Sequence, residues 1–162
     1  MNEITIFKNI LDTSTPFHRG VEVILERIKI GKSKDLVSAI RKEKDKGKRN
    51  ALKQDLPAIC FSGTFNKRSD DSLIDHSGII CLDFDGFKNK TDLQKRKDKL
   101  TKDPYTYSVF ISPSGNGLKV LVRIPPNGAK HKSYFMALEK YYDCEEFDIT
   151  CKNVSRVCYE SY

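Results

Sequence analysis

The sequence predicts an α+β fold: an RRM/ferredoxin-like βαββαβ core behind a helical amino-terminal subdomain. Three observations carry this expectation. The second half alternates short apolar, β-branched stretches with stretches of helical period. Turn and cap signals separate them at Asp85-Gly86, Thr91–Gln94, Ser114–Gly117 and Pro125-Pro126. Most of the first half carries helical periodicity instead.

In chain order, Val21, Ile24, Leu25 and Ile28 recur at helical spacing, and Gly31 follows as a stop. Ser33 is placed to cap a second helix carrying Leu36, Val37 and Ile40, which runs into a basic segment and ends near Gly47. Ala58–Phe65 is a strand, bounded by Pro57 and the polar run 66–71. Gly78–Phe84 is the first strand of the core. Thr91-Asp-Leu-Gln94 has the form of a capping box and opens a helix. Tyr105–Ser112 is the second strand, and Asn116-Gly117 is a two-residue hairpin signal leading to a third, Leu118–Ile124. Ala129–Tyr142 is the second core helix and Val154–Tyr162 the last strand. The order β-α-β-β-α-β is that of the split βαβ fold.

That order implies that the first and third core strands lie side by side and antiparallel. Side chains alternate faces along a strand. Ile80, Leu82 and Phe84 then share one face with Leu118, Val120 and Val122, against the helices. Asp83, Asp85, Lys119 and Arg123 gather on the other.

Composition narrows the function. No apolar run approaches the roughly 18 residues of a membrane span, and the start is not a signal peptide, so no membrane partner is expected. The five cysteines lack a Cys-x-x-Cys pair, which argues against a disulfide scaffold or zinc ribbon and for a reducing, cytoplasmic setting. The spacing of Cys144, Cys151 and Cys158 by seven is no zinc pattern, and Cys60, Cys81 and Cys158 read as small core residues. His131 reads as a surface residue. The net charge of +7 is concentrated in two stretches, 41–53 at +5 and 88–103 at +4. They suit an anionic polymer such as nucleic acid, and equally two solvated helix faces. The candidate phosphate-tracking residues are Arg41, Lys42, Lys44, Lys46, Lys48 and Arg49 in the first, and Lys95, Arg96 and Lys97 in the second.

Asp83-Phe-Asp85 at the end of an apolar strand can share a divalent ion, and such ions stabilise phosphoryl transfer. In Ser112-Pro-Ser114-Gly115-Asn116-Gly117-Leu-Lys119 the glycines let backbone N–H groups approach a phosphate, with Lys119 on the Asp face. Phe147-Asp148 can add a third carboxylate, and Arg156 can hold a phosphate bidentately.

Leu82-Asp-Phe-Asp-Gly86, the Ser112–Lys119 turn, and Phe147-Asp148 with Ser155-Arg156 resemble, in order, the three motifs of archaeo-eukaryotic primases. The similarity is greatest to VirE-type amino-terminal domains, whose members often accompany helicase domains in bacterial mobile elements. Leu56–Phe65 resembles a segment of the same group. The resemblance runs from about Val21 to the end. It implies Asp83, Asp85 and Asp148 as catalytic metal carboxylates for Mg²⁺ or Mn²⁺. Ser112, Ser114, Gly115, Asn116, Gly117, Lys119 and Arg156 become nucleotide contacts, with Lys119 where the usual His stands. The implied function is template-dependent nucleotidyl transfer of the primase or primase-polymerase type, in DNA replication of a mobile element or phage. The implied partners are nucleoside triphosphates, a single-stranded DNA or RNA template and an attached helicase domain. One domain over 1–162 is expected, with a helical part at 1–56 and the strand and core at 57–162, excised from a longer protein. A non-catalytic nucleic-acid-binding module and a metal-dependent nuclease remain open beside this reading.

Overall fold

The computed structural model describes residues 2–162. The architecture is α+β, with three antiparallel sheets and five α-helices among the described residues. The central sheet has the order β6-β8-β7, from Ile79–Phe84, Leu118–Arg123 and Thr106–Ile111. Ile80 lies opposite Val122, Leu82 opposite Val120, and Asp83 opposite Lys119. The expected pairing of the first and third core strands is therefore present.

Two layers cover this sheet. On one face Ile80, Leu82, Phe84, Leu118, Val120 and Val122 pack on Leu93 and Leu100 of α4 (Lys90–Thr101) and Phe135 of α5 (His131–Tyr142). On the other, Ile79, Cys81 and Leu121 pack on Ile24 and Ile28 of α1 (Val21–Lys29), and on Ile4, Ile59 and Phe61. At about 25 cal/mol per Å² of apolar surface removed from water, this double burial is the main stabilising contribution. No helix among the described residues is long and apolar enough to cross a membrane.

The amino-terminal part departs from the helical expectation. β1 (Glu3–Phe7) and β2 (Phe17–Gly20) precede α1 and join a four-stranded sheet of order β2-β1-β3-β9, in which β3 is Ala58–Cys60 and β9 is Cys158–Tyr159. Ile4, Thr5 and Phe7 are fully buried, so β1 is a core strand. Helix α2 (Lys34–Lys42) ends before Gly47, which lies inside a separate α3 (Lys46–Lys53) capped by the Asp45 side chain. The strand expected over 58–65 is two, β3 (Ala58–Cys60) and β4 (Gly63–Phe65), because the chain leaves one sheet for another at Phe61-Ser62. β4 pairs with β5 (Leu73–His76), which the polar run before it concealed.

Other local expectations change for identifiable reasons. The α4 cap is Asn89, not Thr91: its side chain accepts from Asp92 N at 2.8 Å and donates to the Asp92 carboxylate. The β7–β8 connection is a four-residue loop closed by Ser112 N donating to Gly117 O at 2.8 Å, not a two-residue turn. Its left-handed residue is Gly115, at φ +80°. The last strand shrinks to β9 (Cys158–Tyr159) and pairs with β3 rather than with the central sheet. Residues 146–148 take the vacated edge of β6 instead, with Asp85 N donating to Glu146 O and Asp148 N to Asp83 O.

The carboxy-terminal segment is held by charge. Glu160 is 1% exposed and accepts from Arg27 of α1 at 2.7 and 3.2 Å and from the Ser33 hydroxyl. Ser33 thus stands at the α2 N-cap position but gives its hydroxyl to Glu160 rather than to the helix.

His131 is buried, contrary to its expected surface position. Gly78 N donates to His76 Nδ1, so His76 carries its proton on Nε2 and donates it to His131 Nδ1 at 3.0 Å. Burial, then the neighbouring His76, pushes the His131 imidazole down to about 4, against a smaller opposing pull from Asp70. A histidine held neutral stabilises the fold above its ordinary pKa of 6.5 and loses that contribution as pH falls toward 4. Between about pH 7.5 and about pH 5 the loss is about 2 kcal/mol. Urea unfolding at both pH values should show it, and His131→Gln should flatten the difference by a similar amount.

Candidate functional site

The site grows from the end of β6. Alternation along the strand sends Ile80, Leu82 and Phe84 to the helical layer and Asp83 to the opposite side. There Asp83 Oδ2 meets Lys119 Nζ at 2.5 Å, both side chains nearly removed from solvent. Burial alone would lower the Lys119 pKa, but the Asp83 carboxylate outweighs it and holds the ammonium above its ordinary range. Lys119 is thus a fixed counter-ion of Asp83 in this structure.

Asp148 arrives from sequence far away. After α5 the chain reverses through Asp143, a non-glycine residue at φ +38°. Phe147 then inserts between Phe84 and Phe135, with ring centroids 5.4 and 5.3 Å away. That anchor and the 146–148 pairing with β6 set Asp148 beside Asp83. Its Oδ1 accepts from Thr150 N at 2.9 Å and from the Thr150 hydroxyl at 2.7 Å. Burial pushes the Asp148 carboxyl up, but these donors, the Cys151 thiol and the Arg156 charge outweigh it, so its pKa is lowered.

Cys151 completes the cluster. Its Sγ lies 3.2 Å from Asp148 Oδ2 and 3.5 Å from Asp83 Oδ2. One ligand atom from each of Asp83, Asp148 and Cys151 falls within 4.8 Å of the other two. Asp85 is not part of this group: it lies beyond the last residue of β6 and is exposed. Partial desolvation, with the negative charges of Asp83 and Asp148, raises its pKa against the opposing pull of Lys119 and Lys53. Its carboxylate lies over the Cα of Gly117, where a Cβ would overlap Oδ1. Glycine at 117 is what lets Asp85 and the loop approach.

The loop holds Ser112, buried with its hydroxyl unpartnered among the described residues, half-buried Ser114 and Gly115, exposed Asn116 and buried Gly117. Arg41 backs it. Its Nη2 donates to Ser112 O at 3.4 Å and Tyr162 O at 3.0 Å, and its guanidinium lies 4.7 Å from the Tyr162 ring centre. Arg41 is therefore a loop support, unlike the solvated Lys42, Lys44, Lys46 and Lys48. Arg49 is half-buried. Lys53 of α3 was not singled out in the sequence. It sits where burial, Arg49 and Lys119 lower its pKa and Asp85 draws it back. In the second basic stretch Lys95 is exposed, Lys97 is half-buried, and Arg96 pairs with Glu146 at 3.1 Å. Arg156 is half-buried near Asp148.

Three of the expected site residues thus converge directly: Asp83, Asp148 and Lys119. Asp85 and the loop border them. Cys151 was missed as a site residue, although its place three residues after Asp148 was a usable signal.

The fold and site define an α+β domain with a largely desolvated carboxylate–thiol cluster at a strand end, its Asp148 half-buried. The model of the BT4734-like, N-terminal domain family matches residues 51–162. The chain belongs to that family. This corrects the resemblance to archaeo-eukaryotic primases and VirE-type domains, because the matching family is a different one and no primase family matches. No curated protein and no solved structure matches the chain.

Removing one partner of a buried ion pair strands a charge, at a cost of about 3–5 kcal/mol. Lys119→Met should therefore destabilise the fold by about that much, measured by urea unfolding, because Asp83 would stay buried. The double variant Asp83→Leu/Lys119→Met should be more stable than Lys119→Met alone. Simple additivity of the two single changes would contradict this coupling.

Proposed function

We propose that this chain is a divalent-metal-dependent enzyme of nucleotidyl transfer, joining nucleoside triphosphates to a nucleic-acid strand on a single-stranded template. The observation that carries the reading is the convergence of Asp83 and Asp148, 65 positions apart in sequence, beside Asp85 and a glycine-bearing loop backed by Arg41. The β6-β8-β7 order with residues 146–148 on the β6 edge supports a ferredoxin-like reading of the core.

Asp83 and Asp148 would hold the divalent ion, Mg²⁺ or Mn²⁺ being the ions tested first, with Asp85 close by. The ion supplies charge neutralisation for the triphosphate and acidifies the attacking hydroxyl. Lys119 orients Asp83 through their direct contact. The Ser112–Gly117 loop, Lys53 and Arg156 offer donors and positive charge for phosphate oxygens. The exposed lysines of α3 and α4 track the strand's phosphates.

Primed and unprimed single-stranded DNA with nucleotides and Mg²⁺ or Mn²⁺ tests this. Wild type should extend or synthesise, and Asp148→Asn should lower incorporation by about a hundredfold or more, since it removes charge facing the ion. A second reading, a non-catalytic nucleic-acid-binding module, is favoured by the Lys119–Asp83 pair, which already neutralises one carboxylate. No incorporation with either ion, alongside retained DNA binding, selects it.

Both readings require strand binding through charge. Log affinity should fall linearly with log salt, with a slope of about −0.7 per phosphate contacted. Lys95→Glu with Lys99→Glu, both exposed on α4, should weaken single-stranded DNA binding across all sequences and flatten that slope, measured by fluorescence anisotropy.

A further inference from the structure

The metal reading leaves the Cys151 thiol without a task. It is 2% exposed, and its Sγ is directed at two carboxylates from different segments of the chain, Asp83 on β6 and Asp148 on the stretch after α5. Cys151 packs in the apolar cluster with Leu82 and Phe147, yet both hydrogen-bond contacts of its Sγ are to carboxylate oxygens. Asp83, at 9% exposure, is also nearly removed from solvent. Two of three converging donors are thus prepaid in desolvation, and a cation among them offsets that cost.

We propose that Cys151 is a metal ligand, and that Asp83, Asp148 and Cys151 form a mixed oxygen–sulfur site selecting Zn²⁺-class ions over Mg²⁺. This deepens the function proposed above and rests on it for the presence of a metal at these carboxylates. Three chemical arguments support it. Mg²⁺ takes oxygen ligands almost exclusively, whereas thiolate and carboxylate together suit Zn²⁺ and Co²⁺. Three protein ligands with a fourth position open is the form of a catalytic rather than a structural zinc site. The open position is where a phosphate or attacking oxygen would bind. The Asp83 Oδ2 that faces Cys151 is also the oxygen Lys119 holds, and a carboxylate oxygen has lone pairs for both a hydrogen bond and an ion. On loading, the Sγ–H bond breaks, the sulfur keeps the electron pair for the metal, and the proton leaves to buffer.

The test is metal binding by the whole chain without nucleotide or nucleic acid. Co²⁺ titration of wild type should give a near-ultraviolet thiolate-to-cobalt charge-transfer band. Cys151→Ser should abolish it, and Cys144→Ser, outside the cluster, should keep it. By calorimetry, wild type should bind Zn²⁺ at least about a hundredfold more tightly than Mg²⁺. Cys151→Ser should lose at least about tenfold of the Zn²⁺ affinity and leave Mg²⁺ affinity unchanged. Should Cys151→Ser fail to fold, Asp148→Asn must weaken Zn²⁺ by a similar factor in its place. Absence of the band in wild type, or its survival in Cys151→Ser, overturns the proposal. The two readings fail separately. A band without nucleotide incorporation sinks only the transfer reading, whereas Mn²⁺-dependent incorporation without a band sinks only this one.

Discussion

The cross-strand pair of Asp83 and Lys119 is the constraint around which the central sheet is organised. Two charges sit opposite each other on β6 and β8, between a helical layer and an amino-terminal layer that exclude water from both faces. Desolvating them is costly, and their mutual contact offsets much of that cost. A slip of one residue would set Asp83 against Leu118 or Val120 and turn the apolar set of β8 toward the wrong layer. The register is thus specified twice, by the hydrophobic pattern and by the ion pair. The same pair fixes one carboxylate of the candidate site.

The rest of the site is delivered by packing rather than by local sequence. Phe147 enters the aromatic cluster of Phe84, Phe135 and Tyr142, and this pins the strand-like stretch that carries Asp148 and, three residues on, Cys151. At the opposite border, Arg41 of α2 holds the Ser112–Gly117 loop through Ser112 O and leans on Tyr162. The segment ending in Tyr162 is itself tied to α1 by the pair of buried Glu160 with the more exposed Arg27. Helices far upstream of the carboxylates therefore position the loop that borders them, and this coupling runs through named side chains.

The β6, α4, β7, β8 and α5 elements were legible because each carries its own signal: apolar alternation, a cap, a glycine turn or a helical stripe. So was the facing of Asp83 and Lys119, which follows from a period of two. The capping of α4 was misplaced by two residues because Asn89 and Thr91 both offer acceptors, and only the local fold selects one. β1 was overlooked although Ile4-Thr-Ile-Phe7 alternates, since five residues compete poorly with the helical pattern that follows. The family resemblance read from three short motifs was wrong, while the residues within those motifs do lie close together. Short motifs of Asp, Gly and Lys report local geometry better than ancestry.

By itself the sequence determined which faces are apolar, where the chain turns, and that two basic stretches flank a near-neutral body. These depend on neighbours within a few positions, where backbone geometry leaves few choices. Only the tertiary structure decided that the last strand leaves the central sheet for β3 and that residues 146–148 take its edge. It also decided that Arg41 serves a loop rather than solvent, that His131 is buried against His76, and that Cys151 faces two carboxylates. Each of these is a competition between distant segments for one edge, one cavity or one counter-charge. The outcome depends on which combination buries the most apolar surface without stranding a polar group, and no local pattern records it.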